Sequence, residues 1–100
     1  MIGNHSISAL RFTPCSSADH ERGLLGYLQF QHGSIRLDSV ALRRTRRGRL
    51  ELSYPTRTRG NGKRYALFCP ADDEARQGLE AAVLEALYPR LIELGLDGAE

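Results

Sequence analysis

The residues best able to do chemistry in this 100-residue chain are nine basic side chains crowded between residues 43 and 64. They form two sets on either side of the short run 50–54: Arg43, Arg44, Arg46, Arg47 and Arg49, then Arg57, Arg59, Lys63 and Arg64. Glu51 is the one acid among them, so this segment carries a net charge of +8. Because the planar arginine guanidinium can hold two phosphate oxygens at once, the pattern predicts contacts with the phosphates of DNA or RNA.

Charge is segregated along the chain. Residues 1–42 carry equal numbers of acids and bases, whereas residues 71–100 carry a net −6, and the whole chain has a net charge of +2. Two other interpretations therefore stand beside nucleic-acid binding. In the first, the basic segment is a solvated surface that is partly neutralised by acids such as Glu80 and Glu85 on the polar side of a helix. In the second, the basic segment binds an acidic protein partner. We favour nucleic-acid binding, since ordinary charged surfaces mix the two signs more evenly.

The histidines and cysteines do not predict a metal site. The separations between His5, Cys15, His20, His32 and Cys69 match none of the usual ligand spacings. Two cysteines also make no disulfide framework. We expect the histidines to face solvent and the cysteines to be packed and reduced.

No arrangement of residues predicts an enzyme. The chain has no recognisable nucleophile motif, and Gly60-Asn61-Gly62-Lys63 lacks the full spacing of a phosphate-binding P-loop. The seven aromatic residues are spread through the apolar pattern, so we expect most of them in the core rather than in a base-stacking platform. The sequence therefore predicts no catalytic residue, no cofactor and no small-molecule substrate.

The elements that must position the basic residues follow from apolar periodicity and from chain-breaking residues. The predicted antiparallel strands are 7–12, 24–30, 35–42, 50–54 and a short fifth strand at 65–69. A shift of apolar phase within the third strand indicates a bulge at 38–39. The polar stretch 15–23 and the segment 55–64 are interpreted as loops, and 44–49 as a hairpin turn.

The acidic C-terminal segment predicts one long amphipathic helix. Asp72 or Asp73 is a suitable N-cap, and Pro89 is expected to end or kink the helix. Apolar residues recur on one helix face: Ala75, Leu79, Ala82, Val83, Ala86 and Leu87. The chain is thus predicted to be a single α+β domain at 1–96, with four to five antiparallel strands followed by the helix, and a frayed tail at 97–100.

The environment of the protein is predicted from the segments that are missing. Nothing near Met1 has the character of a signal peptide, and no apolar run approaches the roughly 20 residues needed to span a bilayer. The sequence therefore predicts a cytoplasmic protein that does not bind membranes. A chain of this size buries a limited core, and oligomerisation is a common remedy.

Several short motifs occur in an informative order. They are Leu-Glu-Leu-Ser-Tyr-Pro at 50–55, Thr-Arg-Thr-Arg at 56–59, Gly62, Pro70, and a capped helix with Glu74 and Arg76 in its first turns. In this order, and with the strand at 7–12 before them, they resemble the SpoVG (stage V sporulation protein G) septation-regulator family over roughly residues 7–87. Two departures are that Cys69 stands where the family has a histidine, and that the hairpin at 43–49 is far more basic than in the family.

The resemblance implies a dimer in which strands of two chains associate, around an antiparallel sheet packed by the C-terminal helix. It also implies sequence-tolerant binding of DNA and RNA in bacterial regulation, including septation. By position, the binding residues of the family fall on Arg57 and Arg59. Lys63, Arg64 and the arginines of the hairpin at 43–49 are added on charge alone.

Overall fold

The computed structural model describes residues 6–96, so the predicted tail at 97–100 lies outside the described residues. The sheet consists of β1 (Ile7–Pro14), β2 (Leu24–His32), β3 (Ile35–Arg44) and β4 (Leu50–Ser53). These four strands are antiparallel and neighbour one another in chain order. A long helix near the C-terminus packs on one face of the sheet, which confirms the predicted α+β fold class.

Two helices accompany the sheet. α1 (Ser17–Glu21) is a single short turn, and α2 (Asp73–Leu94) is the long helix. The prediction of a loop throughout 15–23 is wrong at α1, because Ser16 acts as an N-cap and its hydroxyl accepts from the Asp19 backbone N–H at 3.3 Å. A serine followed three residues later by an acid is a helix-start signal that the sequence contained.

The bulge predicted at 38–39 is confirmed. Phe30 of β2 pairs with Leu37, but Leu28 pairs with Val40, so β3 has one residue more than β2 across this step. Ser39 takes φ +62°, in the left-handed region that residues with side chains rarely adopt. The extra residue returns Val40 to the same face of the sheet as Leu37, so that both contribute to the core.

The core lies between α2 and the face of the sheet that the helix covers. Phe30, Val40 and Leu42 are fully buried on the sheet side. The buried apolar residues of the helix are Leu79, Val83, Leu87 and Leu91. The predicted helix phase is therefore confirmed at its centre, whereas Ala86 is exposed because the buried stripe continues toward Leu91 instead.

Both ends of α2 are capped by local chemistry. The Asp72 carboxylate accepts from the Ala75 backbone N–H at 2.8 Å, as predicted for an N-cap. At the other end Gly95 has φ +69°, and the Leu96 N–H donates to the Leu91 carbonyl at 2.8 Å. This six-to-one bond beside a left-handed residue is a Schellman motif, which favours glycine because glycine has no Cβ to clash.

The helix runs through Pro89 rather than ending there. Proline leaves the Glu85 carbonyl without its helical N–H partner, but both residues are exposed, so water can hydrogen-bond that carbonyl. Two residues later Leu91 is fully buried. The packing of Leu91 on the sheet therefore holds the last turn in place beyond the proline.

Beyond β4 the chain forms a second, separate hairpin of two strands, β5 (Thr56–Thr58) and β6 (Arg64–Ala66). The predicted loop at 55–64 and fifth strand at 65–69 are therefore wrong in their boundaries, and β6 pairs with β5 rather than with the main sheet. Of residues 56–67, all are exposed except Tyr65, which is half-buried. The hairpin thus presents both of its faces to solvent.

Glu80 is placed differently from the sequence prediction. Its side chain lies against β4 rather than on the polar side of the helix, and the residue is 9% exposed. One carboxylate oxygen accepts from the Leu52 backbone N–H at 3.1 Å, and the other lies 3.3 Å from the Arg76 guanidinium. Because β4 is an edge strand, this carboxylate satisfies a backbone donor that has no strand partner. Glu85 is exposed, as predicted.

We expect Glu80→Ala to lower the free energy of unfolding by about 1–3 kcal/mol, because the Leu52 N–H is left without its acceptor. The melting temperature of a domain this small should then fall by roughly 5–15 °C, as followed by circular dichroism. Glu80→Gln is the matched control, since its side-chain carbonyl can still accept from Leu52 and only the partly exposed pair with Arg76 is lost. Equal melting of the parent and the alanine variant would contradict this role of Glu80.

Within residues 6–96, neither helix combines the length and the apolar character that crossing a membrane requires.

The strand-associated dimer stays a prediction. Pairing along the free edge of β4 would have to displace the Glu80 carboxylate from Leu52.

Candidate nucleic-acid interface

The two basic sets lie at the tips of two hairpins that share one turn geometry. In the first tip the Thr45 N–H donates to the Arg49 carbonyl at 2.8 Å, and the Gly48 N–H donates to the Thr45 carbonyl at 2.9 Å. In the second tip Arg59, Gly62 and Lys63 make the equivalent two bonds, at 3.0 and 2.9 Å. Both are three-residue turns closed by a glycine with positive φ, at +83° for Gly48 and +80° for Gly62.

Each turn is tightened by a side chain that binds the backbone of the residue after the glycine. Thr45 Oγ1 accepts from the Arg49 N–H at 3.1 Å, and Asn61 Oδ1 accepts from the Lys63 N–H at 2.9 Å. A cation therefore follows a left-handed glycine on each tip. Glycine is required at both positions because a side chain at this φ strains the backbone, so each tip holds its cation on an ordered loop.

The first tip, residues 44–49, presents Arg46, Arg47 and Arg49 to solvent. All three are exposed, and their side chains make no ion pair or hydrogen bond with any residue in 6–96. The turn predicted at 44–49 is confirmed. Its exposed arginines are free to meet a partner without first breaking a contact within the described chain.

Arg43 and Arg44 point to opposite faces of the sheet, because successive residues of a strand alternate. Arg44 lies on the helix side, where its guanidinium donates to the Leu96 carbonyl and its Nε is buried without a hydrogen-bond partner among the described residues. Arg43 is exposed and pairs across the sheet with Glu51. The structure therefore assigns Arg44 a structural contact just beyond the end of α2, apart from the other eight cations.

The second hairpin also divides its cations between two faces. Arg57 and Tyr65 are directly paired and share one face, on which Arg59 also lies because it follows Arg57 by two residues. Arg64 pairs with Thr58 and lies on the opposite face. The four basic residues predicted as one set are thus split, with Arg64 on the face opposite Arg57 and Arg59 and with Lys63 at the end of the turn, across from Arg59.

On the first of these faces Arg59 is stacked on an aromatic ring. Its guanidinium carbon lies 4.2 Å from the centre of the Tyr65 ring, and the Tyr65 hydroxyl accepts from Asn61 Nδ2 at 3.1 Å. A cation–π contact at an exposed site contributes about 0.5–1 kcal/mol. This contact, together with the Asn61 bond, holds the ring and the guanidinium in one arrangement. Tyr65 is therefore not a core residue, contrary to the expectation for most of the aromatic residues.

An open cleft of about 590 Å³ runs along the hairpin and is lined by residues 57–60 and 65–67. We call it the hairpin cleft; its lining includes Arg57, Arg59, Tyr65 and Leu67, which share the face described above. Leu67 continues the face, since its N–H donates to the Pro55 carbonyl at 2.9 Å and extends the ladder by one step. The cleft thus combines two cations, one aromatic ring and one aliphatic side chain.

Among residues 6–96, no acid forms an ion pair with the cations of the basic hairpins. Every ion pair within residues 6–96 lies inside α2, between Arg76 and Asp73 or Glu80 and between Arg90 and Glu93. The remaining eight cations of the predicted set are all exposed: Arg43, Arg46, Arg47, Arg49, Arg57, Arg59, Lys63 and Arg64. Their positive charge is therefore directed at solvent rather than at the acidic helix.

β4 separates the first tip from the start of the second hairpin at Thr56, and the second tip lies one further strand along the chain, beyond β5. The four residues of β4 span about 13 Å. This strand length is comparable to the distance across several phosphates of one strand of a duplex.

The helix-free face of the sheet adds two arginines that the sequence prediction missed. Arg11 pairs with Gln29 and Arg36 pairs with Gln31, so all four lie on the face opposite α2. They line one shallow cavity of about 170 Å³. In the sequence, Arg11 and Arg36 occupy polar positions of strands whose alternate positions are apolar, and this could have marked them as exposed. That they lie close together depends on the register between strands, which the pattern of one strand does not show.

A separate apolar cavity of about 260 Å³ lies where the start of α2 meets the sheet, and its lining includes Leu37, Tyr54, Phe68 and Leu79. Its volume falls below the roughly 300–1,000 Å³ of most small-molecule sites. Burial raises the pKa of the Tyr54 phenol to about 12, with a smaller contribution from the Glu80 carboxylate, so the phenol is neutral at physiological pH. We assign no ligand to this cavity.

The histidines and cysteines were also considered as metal ligands in the sequence. Among residues 6–96, no three His, Cys, Asp or Glu side chains are grouped so that they could hold a metal ion. His5, a member of the set considered, lies outside the described residues. Cys15 and Cys69 are both free thiols, and the expectation that both are packed is wrong for Cys69, which is exposed, whereas Cys15 is half-buried.

No protein-family model, curated protein or solved structure matches this chain. The resemblance to the SpoVG family therefore stays a prediction.

Proposed function

We propose that this protein binds DNA or RNA through the phosphate backbone and performs no chemistry on it. The observation that supports the proposal is the set of eight exposed cations on and beside two ordered hairpin tips, without an ion-pair partner among residues 6–96. Seven of these eight are arginines, whose guanidinium groups match phosphate oxygens in geometry. The protein would act in the cytoplasm, as a dimer, in the regulatory manner implied by the SpoVG resemblance.

Phosphate contacts fix position on a nucleic acid but carry no direct base information. Binding led by Arg46, Arg47, Arg57 and Arg59 should therefore tolerate many sequences. Since each tip is ordered by its turn, its cations lose little backbone freedom on binding. Both features favour a protein that binds nucleic acids of many sequences rather than one that recognises a unique site.

We expect the unmodified protein to bind nucleic acid with an affinity that falls steeply as salt rises. If six to eight cations each neutralise one phosphate of a duplex, the plot of log affinity against log salt should have a slope of about −5 to −7. Fluorescence anisotropy with labelled duplex DNA, single strands and structured RNA would measure it. Unrelated sequences of equal length should give similar slopes.

The same titration separates this proposal from binding of an acidic protein partner. Absence of salt-sensitive binding to all three nucleic acids would contradict the proposal and leave the acidic protein partner as the explanation of the basic hairpins. A slope near zero with measurable affinity would likewise contradict it, because counterion release must accompany phosphate contacts.

A further inference from the structure

We propose that the hairpin cleft holds unpaired bases, so that the substrate class of this protein is single-stranded nucleic acid. This inference rests on the proposed function and adds to it a second kind of contact, made to bases instead of phosphates. It follows from the aromatic, aliphatic and cationic side chains on the cleft face of the β5–β6 hairpin, and from the lack of an aromatic ring on the opposite face.

The first observation behind this inference is the contact of Arg59 with Tyr65. The Arg59 guanidinium carbon lies over the Tyr65 ring, 4.2 Å from its centre. Arg59 is itself exposed, so its planar guanidinium is accessible to a ligand. Bases of single strands stack on aromatic rings and on arginine planes alike. The structure therefore offers a base a flat, charged surface that is already held in place.

The second step is the apolar character of the cleft. Leu67 is 60% exposed although it is a large aliphatic residue, and Tyr65 is half-buried beside it. Apolar surface of this kind gains nothing from a phosphate, but it can cover the face of a base. In a duplex those base faces are stacked on one another and are not accessible, whereas in a single strand they are.

The third step is the position of Arg57 in the same cleft. Arg57 is directly paired with Tyr65 and is exposed. A cation beside a stacking surface is the combination that single-strand-binding grooves use, with the charge following the backbone and the ring holding the base. The cleft volume of about 590 Å³ provides space for more than a phosphate group.

The opposite face of the hairpin is an internal control. By strand alternation it carries Thr56, Thr58, Arg64 and Ala66, of which Thr58 and Ala66 also border the cleft, so it has a cation but no aromatic ring. If charge alone governed binding, the two faces would contribute alike to single strands and duplexes. If stacking contributes, only the cleft face should distinguish the two forms.

The test compares a single strand with a duplex of the same sequence and length at high salt, where phosphate contacts are weakened and stacking persists. We expect the parent to bind the single strand about tenfold more tightly or better, within the range that base stacking on an aromatic ring supplies. Tyr65→Leu should remove most of that preference, because single-strand affinity should fall much more than duplex affinity. Tyr65→Phe should retain it, because the ring stays. Arg64→Ala should weaken both forms by the same factor.

A second variant separates stacking from charge and does not depend on the tyrosine. Arg59→Lys keeps the positive charge but loses the planar group, so single-strand affinity should fall severalfold while the salt slope stays unchanged. Equal affinity of the parent for single strand and duplex would overturn the inference while leaving the proposed function standing. Absence of binding to any nucleic acid would overturn the proposed function, and this inference with it.

Discussion

Replacing Arg57 and Arg59 together by alanine is expected to flatten the salt dependence of duplex-DNA binding by roughly two units of slope. Each phosphate neutralised on a duplex contributes about −0.9 to the plot of log affinity against log salt, and each of these exposed arginines can hold one phosphate. Affinity at low salt should fall by a similar factor for unrelated sequences, because backbone contacts carry no direct base information.

The control for this variant is Arg90→Ala. Arg90 is an exposed arginine of α2 that pairs with Glu93 at 3.4 Å and lies outside both hairpins. Its loss should leave the slope unchanged, while circular dichroism should show that all variants melt like the parent. If the double variant folds normally and keeps both its affinity and its slope, Arg57 and Arg59 do not bind phosphates.

Val83→Asp is expected to abolish cooperative unfolding of the domain. Val83 is 0% exposed in the centre of the core between α2 and the sheet. The aspartate would bury an unpaired carboxylate at a cost of several kcal/mol, in addition to about 1.5–3 kcal/mol of lost apolar burial. Domains of this size are stable by only about 5–15 kcal/mol, so most or all of the stability should disappear.

The matched control is Ala81→Asp, two residues earlier on the exposed side of the same helix. It introduces the same charge but costs only about 0.7 kcal/mol in helix propensity. Thermal melts followed by circular dichroism should show a transition a few degrees lower for Ala81→Asp and none for Val83→Asp. Similar melting of the two variants would mean that the face of α2 on the sheet is not the one described.

The contacts that stabilise the fold lie apart from the proposed binding surface of the second hairpin. The stabilising contacts of α2, including the Glu80 bond to Leu52, lie on the covered face of the main sheet. The β5–β6 hairpin pairs only with itself and presents both faces to solvent. Substitutions in this hairpin should therefore change binding with little effect on folding, and the functional variants above depend on that separation.

Local features of this fold were readable from the sequence. The Asp72 cap, the burial of Leu79 and Val83 and the bulge at 38–39 all follow from residue type and from the spacing of apolar residues along one element. So does the turn before Arg49, where Gly48 supplies the left-handed conformation. Each of these depends on neighbours within a few residues, which a periodic pattern records directly.

The concentration of positive charge was also readable, because net charge is additive and needs no geometry. The division of these charges between the two faces of the second hairpin could not be predicted from the sequence. Whether Arg57 shares a face with Arg59 or with Arg64 depends on where the strands of the second hairpin begin and how they pair, and the sequence prediction treated this segment as a loop. The stack of Arg59 on Tyr65 follows from that pairing.

What the sequence determined by itself is therefore the helix, the four strands of the main sheet and the cationic segment, since these are properties of local spacing and composition. The tertiary structure alone decided which chemically similar residues take different roles. It turned Arg44 toward Leu96 while Arg46 stays in solvent, and it buried Glu80 against β4 while Glu85 stays exposed. The physical reason is that a side chain's role depends on the groups across from it, and residues far apart in sequence supply those groups only after the chain has folded.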